Sequence, residues 1–456
     1  MMVEILFSSL LFLTQVSAQS NDITFAHCVV SESNACALDD MEGPTFIYPG
    51  GKTRCAFDTN IEQGTNSTYH YEVYPGNGPH RSKVLFYFQG GGGCFTDDTC
   101  DYSMQKTLFS LTGQKSFLST PLSEAGDGIF NIENFNNPFK NWTVVQVAYC
   151  TADGFVGNRV KNGNVLDTHF NGLENTLSVW NWVKDNVPSP TQFVIAGLSA
   201  GSLGAQSWAT FLLQNLDIST TKVAVLLDAY VGSLPFEGPE VFRYLNGCDS
   251  RLLLPPFLLE KCKAGNMRVV EVLQSLTASF PTVPFAFISS KMDDIERMVY
   301  CLNVHRGNLI ATAMEYSTCI AQPEFLRMKY ETLSSYAASQ NVVSYWSNSN
   351  IHGFLNTNKM FTEDNGNDDG VSLIDWIAGL VAEDISEVKS YCTFGPRGVD
   401  TEQFCDSNIE QATYINPSSV VSDVYSAASV MTSSAASTRD FLGLLFALML
   451  GVHFIM

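Results

Sequence analysis

The sequence predicts an α/β protein, a mostly parallel sheet flanked by helices. Three observations carry that expectation. Short runs of β-branched and aromatic residues recur along the chain, at Lys83–Phe88, Thr143–Ala148, Phe193–Ala196, Val223–Leu227, Phe285–Ser289 and Val342–Trp346. Segments with helical spacing stand between several of them, and this alternation is the pattern of parallel strands joined by crossover helices. One stretch, Gln192 to Leu213, reads strand, tight turn, helix without a break, with Gly197-Leu198-Ser199-Ala200-Gly201 as its turn.

Taken in order, residues 19–80 read as loop-rich, with Cys28, Cys36, Cys55 and many Gly, Asn and Pro, and are expected to wrap the core. Lys83–Phe88 is the first core strand by length and β-propensity. It runs into Gln89-Gly90-Gly91-Gly92-Gly93-Cys94. Thr143–Ala148 is the next strand and leads into Tyr149-Cys150-Thr151-Ala152-Asp153-Gly154. Gly172–Val183 places Leu173, Leu177, Trp180 and Val183 on one helical stripe. Val223–Leu227 ends in Asp228-Ala229-Tyr230. Residues 231–282, with Pro255-Pro256, Cys248 and Cys262, read as an excursion that forms a cap or insert. Phe285–Ser289 precedes Lys291-Met292-Asp293-Asp294, residues 325–340 read as a helix, and Val342–Trp346 precedes a polar loop bearing His352. Val371–Val381 closes the fold as a helix. The chain thus divides into a leader (1–18), one folded domain (19–410), a Ser/Ala-rich linker (411–435) and an apolar tail (436–456).

A serine on a strand-to-helix turn between glycines is the pattern of a nucleophile elbow. The turn lifts the hydroxyl above the sheet and sets it at a helix N-terminus, where N–H groups favour a developing oxyanion. The plain alternative is a Gly-rich turn with an ordinary serine. Four glycines directly after a core strand would supply backbone donors with no side chain in the way, so Gly91, Gly92 and Ala200 are the candidate oxyanion donors. No Gly-Lys-Ser/Thr follows them, which excludes a phosphate-binding P-loop. Of the seven histidines, His352 alone follows a late strand, after both the serine and a candidate acid. The order Ser199, Asp293, His352 is that of α/β-hydrolases. Asp294 and Asp228 are runners-up for the acid. A structural, hydrogen-bonded loop histidine is the alternative for His352.

The formal charge of −21, from 46 acidic and 25 basic residues, argues against a nucleic-acid partner, which needs a basic footprint. Ile5–Val16 is largely apolar and Val16-Ser17-Ala18 is a small-residue cleavage pattern, so the leader reads as a signal peptide. Twelve cysteines after such a leader suggest disulfides, with Cys94 and Cys100 a plausible local bridge. No CxxC pair or HxxxH cluster points to zinc. A faint EF-hand pattern at Asn365–Trp376 places Trp376 where the bidentate Glu belongs and is rejected. No metal or organic cofactor is expected. Asn66 and Asn141 head the sequons Asn-Ser-Thr and Asn-Trp-Thr. Ser418–Ser437 is a small-residue spacer and Phe441–Met456 an apolar run at the chain's end, the pattern of a GPI-attachment signal placed between about Ser426 and Ala435. The alternative is a transmembrane tail, for which sixteen residues are few.

Gln89-Gly-Gly-Gly-Gly-Cys94, Tyr149-Cys150, Phe170-Asn171-Gly172, Gly197-Leu-Ser-Ala-Gly201, Asp228-Ala229, Lys291-Met-Asp293-Asp294, His352 and Asp375-Trp376 together resemble the pectin acetylesterase/Notum family of carboxylesterases. The similarity covers roughly Cys36 to Ala382. It implies an α/β-hydrolase fold, a Ser199/Asp293/His352 triad and hydrolysis of an acyl ester at or outside the cell surface. Its two branches act on acetylated pectin and on a fatty-acylated signalling protein, and acetyl on a polysaccharide or glycoprotein is the expected substrate here. A catalytically silent surface binding protein on the same fold is the reading from another class. The chain departs from the family at three places: Gly93 stands where an aromatic is usual, Gly353 where plant members carry Cys, and Ser202 where a second glycine is common.

Overall fold

The computed structural model describes residues 23–392, apart from 59–67, 95, 98, 101–122, 163–166, 234–238, 250–251, 306–307, 309–310, 312–314, 316–317, 337–340, 364–370 and 383–388. The proposed leader, linker and tail, and Asn66, lie outside the described residues.

In chain order the elements are β1 (Ala26–Val29), β2 (Thr45–Tyr48), β3 (Tyr71–Tyr74), β4 (Lys83–Phe88), β5 (Thr143–Val147), β6 (Arg159–Lys161) and β7 (Thr168–Phe170). Helix α1 (Gly172–Asn186), β8 (Gln192–Leu198), α2 (Ala200–Asn215) and β9 (Lys222–Asp228) follow. Then come α3 (Pro239–Tyr244), α4 (Pro256–Ala264), α5 (Val269–Ser279), β10 (Phe285–Ser290) and α6 (Asp294–Val304). The last are α7 (Gln322–Ser334), β11 (Val342–Ser347), α8 (Leu373–Val381) and β12 (Tyr391–Cys392).

Ten strands form one sheet in the order β1-β2-β3-β5-β4-β8-β9-β10-β11-β12, and β6 with β7 makes a separate antiparallel hairpin. Within the large sheet β3 alone runs antiparallel to its neighbours. From β5 through β12 every pairing is parallel. The central strands are buried on both faces, which is why they read as continuous apolar runs. Phe86, Phe88, Phe193 and Ile195 face one core with α1, α2 and α5. Their neighbours Leu85, Tyr87, Val194, Ala196 and Leu198 face a second core capped by α8.

Two expectations are corrected. Residues 19–80 are not only wrapping loops, since β1, β2 and β3 extend the sheet at one edge. The excursion 231–282 is not all cap. Its last helix, α5, connects β9 to β10 and packs on α2, so it is the crossover the parallel pair β9–β10 requires. Leu253, Leu258, Met267 and Leu273 of the same excursion join the main core. Disulfides tie the loops to this frame: Cys28–Cys36, Cys55–Cys150, Cys94–Cys100, Cys248–Cys262 and Cys301–Cys319.

The strand order reverses at β4. The chain steps outward from β4 to β5, then returns past β4 to place β8 on its other side. Such a switch point opens a crevice beyond the carboxyl ends of the two strands, where α/β proteins bind ligands. The glycine run follows β4 and Ser199 follows β8, so both flank this crevice.

Candidate active site

Ser199 lies between the last residue of β8 and the first of α2, with φ 54° and ψ −118°. A non-glycine residue in this region carries strain of about 1–3 kcal/mol and persists only where its surroundings hold it. Two glycines make the turn possible. A Cβ on Gly197 would come within 2.1 Å of the Gly201 carbonyl oxygen, and one on Gly201 within 2.0 Å of the Phe88 carbonyl oxygen. The Ser199 N–H donates to the Asp228 carbonyl at 2.8 Å, anchoring the turn to the end of the neighbouring strand.

The expected partners converge on this serine. His352 Nε2 is 3.0 Å from Ser199 Oγ. On its other side, His352 Nδ1 is 2.8 Å from Asp293 Oδ2 and 3.0 Å from Oδ1. Asp293 is fully buried and the His352 side chain is 14% exposed. Asp293 also caps α6, its Oδ1 accepting the Glu296 N–H at 2.8 Å. Burial alone would raise the Asp293 carboxyl, yet His352 beside it and Lys329 hold it below its ordinary value. For His352 burial disfavours the imidazolium, but Asp293, then Glu296 and Asp228, raise it above the usual histidine range. A carboxylate that fixes one ring nitrogen leaves the other positioned to exchange a proton with the serine.

Asp228 and Asp294 take other roles. The Asp228 Oδ2 accepts the N–H of Phe354 at 2.6 Å and of Leu355 at 2.8 Å. It therefore holds the loop that carries His352, while its own carbonyl holds the serine turn. With burial dominating and those N–H bonds opposing, its carboxyl is pushed up to about 7. Asp294 faces outward and pairs with Arg297 at 3.0 Å.

Gly91 and Gly92 lie in the loop after β4, and Ala200 directly follows Ser199. Gln89 and Gly90 run alongside the elbow, Gly90 against Leu198. Among the described residues, no hydrogen bond takes up the N–H of Gly91 or Gly92. Ala200 opens α2, so its N–H lacks an intrahelical acceptor. The loop is held at both ends. Gln89 Oε1 accepts the Tyr149 N–H at 2.9 Å, and Cys94 donates to the Ala152 carbonyl at 2.8 Å and bridges to Cys100.

Two of the three departures from the family pattern have local reasons. Ser202 is buried in α2 and donates to the Tyr230 carbonyl at 3.1 Å, tying the elbow helix to the turn after β9. Gly353 has φ +87°, and a Cβ there would meet Leu198 Cδ1 at 2.1 Å, so a side chain at this place would need both a strained φ and a shift of Leu198. At Gly93 a Cβ would meet nothing closer than 3.5 Å, the Ala152 carbonyl oxygen.

A family model of pectinacetylesterase matches residues 59–236, which hold the glycine loop, the serine turn and Asp228. The palmitoleoyl-protein carboxylesterase NOTUM of Schmidtea mediterranea is 25% identical over 146 residues, 32% of this chain. Both matches support a likeness to the pectin acetylesterase/Notum family. The NOTUM match spans 27% of that relative's own length. Among solved structures, the Wnt deacylase Notum from Drosophila aligns in two crystal forms, each at 15% identity over 76% of this chain. Form I covers 95% of the solved chain with a TM-score of 0.49, and form II 97% with 0.52. Form II supports the fold, an α/β-hydrolase sheet. Both the family model and the relative are named for carboxylic ester hydrolysis, and the five disulfides among the described residues are consistent with an extracellular protein.

A buried ion pair that no sequence pattern announces lies behind Asp293. Glu296, three residues after Asp293, pairs with Lys329 of α7, and both are buried. The Asp-x-x-Glu spacing at the start of α6 was a legible capping signal, but nothing near Lys329 in the sequence marks it as a buried cation. Asn141 is half-buried two residues before β5, and Thr143 of its sequon is buried in that strand.

Proposed function

We propose that this chain is a secreted or cell-surface serine carboxylesterase that hydrolyses acyl esters, acetyl foremost, on a polysaccharide such as pectin. The observation that carries the reading is the continuous hydrogen-bonded line from Asp293 through His352 to Ser199 on a strained elbow. His352 takes the Ser199 proton as Oγ attacks the ester carbonyl, and Asp293 stabilises the imidazolium. The N–H groups of Gly91, Gly92 and Ala200 receive the oxyanion. His352 then protonates the leaving alcohol. Water, activated by the same imidazole, releases the acid from the acyl-serine and restores Ser199. In this reading the leader exports the chain, Asn66 and Asn141 carry glycans, and the C-terminal tail directs a GPI anchor.

An acyl-chain series from p-nitrophenyl acetate to palmitate, with Ser199→Ala alongside, tests the reading. The expected result is a preference for acetate that Ser199→Ala abolishes. A preference for long chains would move the assignment to a deacylase of a lipidated protein, the activity named for the Schmidtea relative. No Ser199-dependent turnover on any chain would leave a surface binding protein on this fold.

A further inference from the structure

Behind the triad acid lies a buried pair that the mechanism above does not use. Lys329 of α7 is 0% exposed and Glu296 of α6 is 6% exposed, and their charged ends are in direct contact. A buried charge is expensive unless it is paired and its remaining donors are satisfied. The remaining contacts of Lys329 are well defined. Its ammonium donates to the Ser290 carbonyl at 3.1 Å. The rings of Phe325 and Trp346 lie 5.5 and 5.8 Å from it. Glu296 uses its second oxygen to accept the Ser233 hydroxyl at 3.1 Å, from the turn after β9. Its backbone N–H binds Asp293.

The two groups that Lys329 grips bracket Asp293 symmetrically. Ser290 is the last residue of β10 and Glu296 lies in the first turn of α6. Between them the chain leaves the sheet, turns and starts the helix that Asp293 caps. We propose that Lys329, paired with Glu296, is a positioning residue for Asp293 and His352, clamping both ends of the segment that carries the acid and balancing the charge behind it. The inference rests on the triad reading.

Among the described residues, the charged and titratable groups that act on this pocket come from five places. Asp293 and Glu296 come from the start of α6, Lys329 from α7, Asp228 from the end of β9, Tyr230 from the turn after it and His352 from the loop after β11. Removing one member of the Lys329–Glu296 pair therefore changes the field at the imidazole in a direction its sign dictates.

The test is the pH profile of kcat/KM on p-nitrophenyl acetate for the full chain, with Glu296→Gln, Lys329→Met and Ser199→Ala. Glu296→Gln leaves the Lys329 charge unbalanced, so the acid limb set by His352 moves to lower pH, by roughly half a unit or more. Lys329→Met leaves Glu296 unbalanced and moves the limb the other way. In both, kcat falls about tenfold or more, as misplaced catalytic groups cost, while KM changes little. Loss of stability alone lowers the amount of active protein without moving the limb. Folded variants whose limb and kcat match the parent overturn the inference, and if Glu296→Gln does not fold, Lys329→Met decides. Activity that survives Ser199→Ala overturns the triad reading and this inference together. Activity lost in Ser199→Ala with unmoved limbs overturns this inference alone.

Discussion

Two aspartates stand at neighbouring strand ends, Asp228 as the last residue of β9 and Asp293 after β10, both fully buried and both within reach of the same histidine loop. One binds the loop's backbone at Phe354 and Leu355, the other the imidazole itself. The difference follows from what each carboxylate meets. Asp293 meets a group that can carry positive charge and has Lys329 behind it, so it is held ionised. Asp228 meets two neutral N–H groups in a dry setting, so its proton is held more tightly. The same side chain one strand apart is thus a charge partner in one place and a loop anchor in the other.

The largest expected break in this comparison is on the side of Asp293. Asp293→Asn keeps the shape but loses the charge that fixes the tautomer, and kcat should fall by about 10³–10⁴ with the fold intact by circular dichroism. Asp228→Ala should act mainly on stability. It leaves two buried N–H groups without their acceptor and costs about 2–3 kcal/mol in urea unfolding. Asp228→Asn, which keeps one acceptor oxygen, should cost less and retain most of kcat.

The two carboxyls also carry opposite pH signatures. Asp228 is raised in the folded state, so its contribution is complete below its ordinary value of 3.8 and is lost as pH rises to about 7. Glu72, fully buried and pushed up to about 8 by burial, adds a loss that runs from its ordinary 4.5 to that value. Asp293 is lowered, so its contribution is present above 3.8 and is lost on further acidification. Thermal melts should therefore show Tm falling by several degrees between about pH 5 and pH 8. Asp228→Asn should flatten that slope and Asp293→Asn should not. A smaller effect is expected at the loop both aspartates serve. Gly353→Ala forces a side chain against Leu198 at positive φ and should cost about 1–2 kcal/mol in the same unfolding assay.

The comparison also marks how far the sequence could be read. The central strands and the elbow were legible because parallel strands buried on both faces leave continuous apolar runs, and because a strained turn demands glycines at fixed places. Ser199, Asp293 and His352, which hydrogen bonds bring together, stand in chain order after β8, β10 and β11. The edge strands were not legible. β1 has three exposed positions among its four residues and sits among Cys-, Gly- and Pro-rich loops, so it shows no apolar pattern. Asp228 as a loop anchor was hidden for another reason. Its partners are backbone N–H groups 126 and 127 residues away, which no side-chain type announces. Lys329 lies in a helix rich in charged residues, QPEFLRMKYETLS, and reads there as one more surface cation. Only the approach of α7 to the end of β10 makes it a buried one.

The proposed nucleophile, Ser199, is driven by His352 and Asp293 and not by Asp228. The most direct measurement is covalent capture by a fluorophosphonate, with the adduct located by peptide mass spectrometry and its rate compared in the parent, Asp293→Asn and Asp228→Asn. The expected result is an adduct on Ser199, formed about 10³-fold or more slowly in Asp293→Asn and at close to the parental rate in Asp228→Asn. An adduct on another residue, or a rate that collapses in Asp228→Asn while Asp293→Asn reacts normally, would contradict it.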